Sequence, residues 1–529
     1  MPVSIATKNR IPVLNIAGQS TPLVSFFGNY SDVGSEGRQT TCDTIRMAAD
    51  VAGVHIHSVI MHLPWNHPAD GPDYQETDTI IQSLLEADPD TKLMIRFHTQ
   101  PASRHEDGCH TSLDPTFEVS DRYHNQLLLS DKGTTHGISL ASEAWEADLL
   151  DNVEGFVRHL LAQPYSDSIM ALHPDCNEWF SAVDYHSVGD FSEPMQRAWR
   201  EWARRNYRDN AELSEAWGSA FAFETMQVPT LEERRTDDGS AVLDPEKARR
   251  ICDFYRFYNE RVAELIIRLG RTIKMASQGR YLSLFFYGYL FELSNNFLHG
   301  TQQSGHCALR KILDSESIDM LSGPISYFER WDVAENGGSY FMCPVDSITA
   351  NGKIWIQEDD ARTYLKTGNG GLTPAKSLES TLHIARKNMA NTIVHNAGTW
   401  FMDLPAQGWL KDARIWQEIG RLNRVYRGLY EQNKAEMFQA DVAVIIDEKS
   451  IYAMDASNEL MQSLLYKNRY VLSRIGTTCG YYLLSDLVGG RVPQAKLYIF
   501  LNAIDVRADE RRCIADTLRQ QVCTLLWLY

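Results

Sequence analysis

The chain lacks a basic face. Its 69 Asp and Glu outnumber 51 Lys and Arg, for a formal net charge of -18. A protein that neutralises phosphates needs the opposite balance, so nucleic acid is excluded as a partner. No apolar run approaches the roughly 20 residues that a membrane helix needs, and the N-terminus has no basic start followed by an apolar core. A protein with no membrane role and a cytoplasmic location is expected. The nine cysteines are an odd number without a C-x-x-C pair, which leaves neither a zinc framework nor a disulfide pattern and points to reduced thiols in the core. A phosphate-binding G-x-G-x-x-G is also missing, so a nucleotide site is not expected. Internal repeats and low-complexity segments are absent.

What is present is a long, ordinary globular composition. A chain of 529 residues exceeds one compact core, so two domains are expected. Short apolar runs at 22–27, 54–62, 92–98, 168–173, 281–287, 318–323, 353–357 and 391–395 read as strands, most of them followed by helical spacing. Helices are expected at 40–52, 147–162, 244–275 with a start at Asp244-Pro245, and around Trp199. Strands alternating with helices predict a parallel α/β sheet, and eight of them a (β/α)8 TIM barrel over 1–435, preceded by a short arm. From 436 the rhythm restarts, with strands at 440–446, 496–501 and 522–529 and helices at 456–475 and 508–521. That predicts an open three-layer α/β domain over 436–529, cut off inside its last strand.

The chemistry concentrates in two stretches. In 168–180 an apolar run stops at His173-Pro174 and is followed by Asn177-Glu178, Trp179 and Phe180. A buried parallel strand is a short apolar run, and a proline removes a ladder donor at its end, so Glu178 is expected in the loop above the sheet. The same dipeptide at Asn259-Glu260 lies off the apolar stripe of a helix and reads as solvated, as does Asn458-Glu459. In 352–360 the run Lys353 to Gln357 ends at Glu358 in the same way. Glycoside hydrolysis needs one carboxylic acid at the leaving oxygen, one carboxylate across the sugar, and aromatic platforms. Glu178 and Glu358 with Trp65, Trp179, Trp355 and Trp400 supply that inventory.

With those motifs the chain resembles the clan A glycoside hydrolases, and within them the family 42 β-galactosidases and the related family 164 β-mannosidases. The resemblance rests on Asn177-Glu178 after strand four, Glu358 after strand seven, Gly398-Thr-Trp after strand eight, and the segment from Phe191 through Trp199 to Ala216-Trp217-Gly218. It implies an exo-acting retaining β-glycosidase without a cofactor or metal. Glu178 is then the acid/base and Glu358 the nucleophile, Asn177 bonds the sugar 2-hydroxyl, Tyr327 holds the nucleophile, and Arg96, Trp400 and Asp403 belong to the glycone site. It also implies that the C-terminal unit is amidotransferase-like and builds a homotrimer. The zinc cysteine cluster of family 42 and its usual strand-eight carboxylate and His pattern are missing, so galactose specificity is not implied.

Other readings compete. His55-Ile-His57 is a plausible metal pair, but it stands at the start of its strand while Leu63-Pro64-Trp65 marks the catalytic end. His98 reads either as a structural histidine or as a sugar contact, and His173 as a hydrogen-bonded structural one. Asp346, Asp359, Asp360 and Glu329 read as loop carboxylates or as ion-pair partners of Lys353 or Arg330. A non-enzymatic sugar-binding barrel is the alternative of another class.

Overall fold

The computed structural model describes residues 3–65, 72–99, 123–176, 180, 187–236, 239–295, 299–328, 330–367 and 373–528. The expected arm is a small antiparallel sheet of β1 (Val3–Lys8), β2 (Ile11–Ile16) and β3 (Gln19–Thr21). The chain then enters the barrel with β4 (Val24–Asn29), β5 (Ile56–Met61) and β6 (Lys92–His98). A hairpin of β7 (Leu127–Ser130) and β8 (Gly133–Ile138) interrupts it. The barrel resumes with β9 (Ile169–Asp175), β10 (Leu282–Phe286), β11 (Met320–Pro324), β12 (Ile354–Asp359) and β13 (Gly398–Asp403). These eight strands close in chain order, and every pairing among them is parallel.

All seven residues of β9 and all six of β12 are buried, because helices cover one face of a parallel barrel and side chains fill its interior. The fit inside is tight. A Cβ on Gly323 in β11 would come within 2.5 Å of Tyr289 and 2.8 Å of Trp355, so that position admits only glycine.

The eighth strand is not where the sequence placed it. Residues 391–394 are the last turn of the helix Leu378–Val394, whose buried positions Thr381, Ile384, Ala385, Asn388, Met389 and Thr392 keep helical spacing. A short β-branched run such as Thr392-Ile393-Val394 cannot distinguish a strand from the end of a helix. The true strand is Gly398–Asp403, read from sequence as the loop beyond. The long helix likewise starts at Arg249 rather than at Asp244-Pro245, where the chain forms a turn closed by the Ala248 amide on the Asp244 carbonyl at 2.7 Å.

The C-terminal region holds a four-stranded parallel sheet of β14 (Val442–Ile446), β15 (Cys479–Leu483), β16 (Leu497–Phe500) and β17 (Thr524–Trp527), in the order β15-β14-β16-β17. Strand β15 was missed, because Cys-Gly-Tyr-Tyr-Leu directly follows a helical segment and contains a glycine. Ala443, Ile445, Tyr498 and Phe500 pack with Ile514 and Leu518 of the helix Ala508–Arg519. The alternate residues Val442, Val444, Ile446 and Ile499 join the core that continues into the barrel. The barrel itself thus supplies part of the sheet's second cover. It also caps the β15 edge: Asp346 Oδ2 accepts from the Tyr481 amide and Ser347 Oγ from the Leu483 amide, each at 2.7 Å. An edge strand with its amides bonded has no free template for further pairing.

Candidate active site

The polar side chains gather where barrel enzymes build their sites, at the C-terminal ends of the strands. Glu358 is the fifth residue of β12, 5% exposed, and its Oε2 accepts from Trp400 Nε1 of β13 at 2.9 Å. Trp400 is fully buried. Phe27 stacks on it with ring centroids 5.4 Å apart and Phe286 meets it edge-on at 6.1 Å. Its ring is therefore wedged into the barrel, and what it offers the site is the indole N–H. That hydrogen bond fixes the orientation of the carboxylate.

Opposite β12, an alternating row of charge joins β6, β9 and the loop after β4. Arg96 of β6 donates through Nε to Asp175 of β9, and His98 Nδ1 meets the other oxygen of Asp175 at 2.6 Å. On its far side His98 Nε2 faces Asp32 Oδ2 at 3.7 Å. The charge of Asp175 pushes the His98 imidazole up to about 10, so it stays protonated at neutral pH. Burial would raise the Asp175 carboxyl, but His98 and Arg96 hold it well below the usual range. Arg96 is packed over Phe286 at 4.9 Å. The row is an ion-paired wall, and His98 is both structural and turned toward the rim at 32% exposure.

The remaining expectations fall variously. Trp65 is half-buried in the loop after β5. Tyr327, beyond β11, donates its amide to Glu292 Oε1 at 3.3 Å and lies under the Arg330 guanidinium, 5.4 Å from the ring centre. Asp403 ends β13 and accepts from the amides of Gln407, Gly408 and Trp409 at 3.1, 2.6 and 3.0 Å, so its carboxylate shapes the following loop. Asn177, Glu178, Trp179 and Glu329 lie outside the described residues. Trp355 is fully buried and donates to Gln357 at 3.1 Å; it is core and no sugar platform. Asp360 pairs with Arg330, but Lys353 ends on the carbonyls of Ser315 and Ile318 at 2.6 Å each, in place of a carboxylate.

His173 corrects an expectation. It is fully buried, and neither ring nitrogen has a hydrogen-bond partner. Its surroundings are Phe286 at 4.5 Å and Trp400 at 5.9 Å. Burial, with Arg96 nearby, drives its pKa down to about 3, so it stays neutral. The metal reading loses its motif: His55 Nδ1 and His57 Nε2 both turn to Asp88, at 3.0 and 3.2 Å. Among the described residues no group of three or more His, Cys, Asp or Glu is arranged to hold a metal ion, and no helix is long and apolar enough to cross a membrane.

Sequence reading missed Asp175, Glu292 and Arg362, and gave Arg330 only as an ion-pair partner. Asp175 carried a signal, as the one charged residue closing an otherwise apolar strand. Glu292 is legible only through Arg469, 177 positions away in the chain.

Residues 151–309 match the glycoside hydrolase family 42 model, described as Beta-galactosidase. Among solved structures, the β-galactosidase from the psychrophilic Marinomonas ef1 is similar at 14% identity with a TM-score of 0.64, over 96% of this chain and 75% of that one. A GH42 β-galactosidase from G. stearothermophilus, in a catalytic glutamate-to-alanine mutant, is similar at 11% identity and 0.62, over 97% and 72%. The catalytic domain of a β-amylase from Paenibacillus polymyxa follows at 13% and 0.54, over 76% and 94%. No curated protein sequence matches. A likeness of sequence over the segment that contains β9, and a likeness of fold over nearly the whole chain, converge on one class: the protein is a glycoside hydrolase resembling the family 42 β-galactosidases.

Proposed function

We propose that the protein is an exo-acting, retaining β-glycosidase, β-galactosidase-like, in which Glu358 is the nucleophile and Glu178 the acid/base. The observation that carries this reading is Glu358 at the end of β12, nine-tenths buried and held by the Trp400 indole. Glu178 follows β9 directly in sequence, and the relative from G. stearothermophilus has a glutamate whose replacement defines a catalytic mutant.

In a retaining site the nucleophile attacks the anomeric carbon while the acid protonates the leaving oxygen. Water, deprotonated by the same acid/base group, then releases the sugar. Trp400 orients Glu358 for that attack. The Arg96–Asp175–His98 row supplies rigid polar groups on the opposite wall, where glycone hydroxyls need fixed partners. Asn177 is assigned to the 2-hydroxyl by resemblance alone.

A panel of aryl β-galactosides, β-mannosides and β-glucosides tests the reading. Turnover of a β-galactoside or β-mannoside is expected, unchanged by prior treatment with a chelator. Activity confined to α-glycosides would sink the assignment.

The same reading includes a homotrimer and a cytosolic location. Strand β17 leaves Leu525 and Leu526 exposed at 42% and 44%, an apolar edge that self-association would cover. Light scattering at micromolar concentration is expected to give three times the chain mass, and a strict monomer overturns it. The eight described cysteines are all free, which fits a reducing compartment; disulfides in protein isolated from its native source would overturn the location.

A further inference from the structure

The loops beyond β11 and β12 bring together Arg330, Arg362 and Lys387 around Asp360, and the Arg330 guanidinium is incompletely satisfied. The Arg330 side chain is 8% exposed, yet among the described residues only one carboxylate meets it, Asp360 at Nη2, two residues past Glu358. Its Nε and Nη1 have no hydrogen-bond partner. Arg362 turns to the same Asp360: it donates to the backbone carbonyl and stands 3.6 Å from the carboxylate, with its guanidinium 4.3 Å over the Trp409 ring. A third cation, Lys387, ends on the carbonyls of Arg330 and Trp331 at 3.1 and 2.8 Å.

The nearby carboxylates are already engaged. Asp359 faces outward to Asn388 at 3.0 Å, and burial holds its pKa up, toward the neutral form. Glu292 is bound by Arg469 at 2.8 Å, and Asp332 faces His383 at 3.4 Å. Among the described residues Arg330 and Arg362 share the Asp360 carboxylate, while Lys387 ends on carbonyls alone. Burial accordingly lowers Arg330 to about 10 and Lys387 to about 8. A guanidinium withdrawn from water with open donors is costly to keep, and its planar fork matches a carboxylate, sulfate or phosphate.

The pair also stands close to the chemistry. Asp360 stands two residues past Glu358, just beyond the end of β12; Arg362 feels the charge of Glu358, and Arg330 covers Tyr327.

We propose that Arg330 and Arg362 form a subsite for an anionic group on the glycoside substrate, a carboxylate or a sulfate or phosphate ester, next to the bond that is cleaved. This rests on the glycosidase reading for the location of the chemistry, and it names the substrate class.

Matched aryl β-glycosides test it: the galactoside against its 6-sulfate and 6-phosphate, and the glucoside against the glucuronide. In the wild type at least one anionic member should exceed its neutral partner in kcat/KM by about tenfold or more, the worth of a charge-assisted contact. The partner that wins distinguishes carboxylate, sulfate and phosphate. In R330M and in R362M that ratio should collapse toward one, while R421M, on an exposed helix face, keeps it. Calorimetry with free glucuronate, galactose 6-sulfate and galactose 6-phosphate gives a second readout independent of turnover. Binding lost in R362M, with no glycoside hydrolysed, would overturn the glycosidase reading and leave the subsite standing. Neutral members preferred in every pair, or a ratio indifferent to both variants, would overturn the subsite.

Discussion

Replacing Glu358 by alanine is expected to lower kcat/KM on an aryl β-glycoside by roughly 10⁴-fold or more, the scale seen when a nucleophile acting as part of a unit is removed. The loss should fall on kcat, since the carboxylate acts at the reacting carbon and contributes little to ground-state binding. Trp400 Nε1, at 2.9 Å from Glu358 Oε2 in the wild type, loses its acceptor, and a small anion can occupy the vacated space. Added azide should therefore restore turnover and give an α-configured glycosyl azide from a β-substrate, by a single inversion in place of two. Glu178→Ala should behave differently: substrates with good leaving groups form the glycosyl-enzyme without a proton, and azide should then give the β-configured product. Product NMR reads both. Swapped configurations would reverse the two roles, and full activity in E358A would remove Glu358 from the mechanism.

What was legible in the sequence is what a short stretch can encode. Strands β9 and β12 announce themselves by apolar runs, and the position of Glu358 at a strand end follows from where its run stops. The same logic misplaced the eighth strand, because the β-branched Thr392-Ile393-Val394 read as strand although it is the end of a helix, with only Thr392 buried and Val394 exposed. It also passed over β15, whose amides are satisfied by Asp346 and Ser347, 135 and 136 positions away. The site shows the same division. Glu358 could be named, but its donor Trp400 was read as a sugar platform, since nothing local says that Phe27 and Phe286 enclose the ring. His173 looked like a polar residue in need of a partner, whereas the aromatic packing around it keeps both nitrogens unpaired. The partners of Arg96 and Glu292 stand 79 and 177 positions away in the chain. No periodicity reports such pairs; they are a product of the closed barrel.

The longest of those pairs ties the C-terminal region to the site, and breaking it should cost the most stability of any single change at this junction. Arg469 is 2% exposed. It donates through Nη1 to the Phe341 carbonyl at 2.9 Å, and through Nη2 to Glu292 Oε2 and Ser326 Oγ at 2.8 Å each. Glu292 in turn accepts the Tyr327 amide at 3.3 Å, so the arginine fixes the loop beyond β11 from both sides. Arg469→Met keeps most of the volume, yet it leaves Glu292 buried without its cation. An uncompensated buried charge costs about 3–5 kcal/mol, so denaturant unfolding of R469M is expected to show a loss of that size. The fraction that remains folded should also show a lower kcat, because Ser326 and Tyr327 lose their anchor. Changing the carboxylate as well, in R469M/E292Q, removes the stranded charge, and the double variant should be more stable than R469M alone, a coupling that only directly interacting residues show. A loss below about 1 kcal/mol in R469M, or double-variant stability equal to the sum of the single losses, would show that Arg469 and Glu292 do not act as a pair.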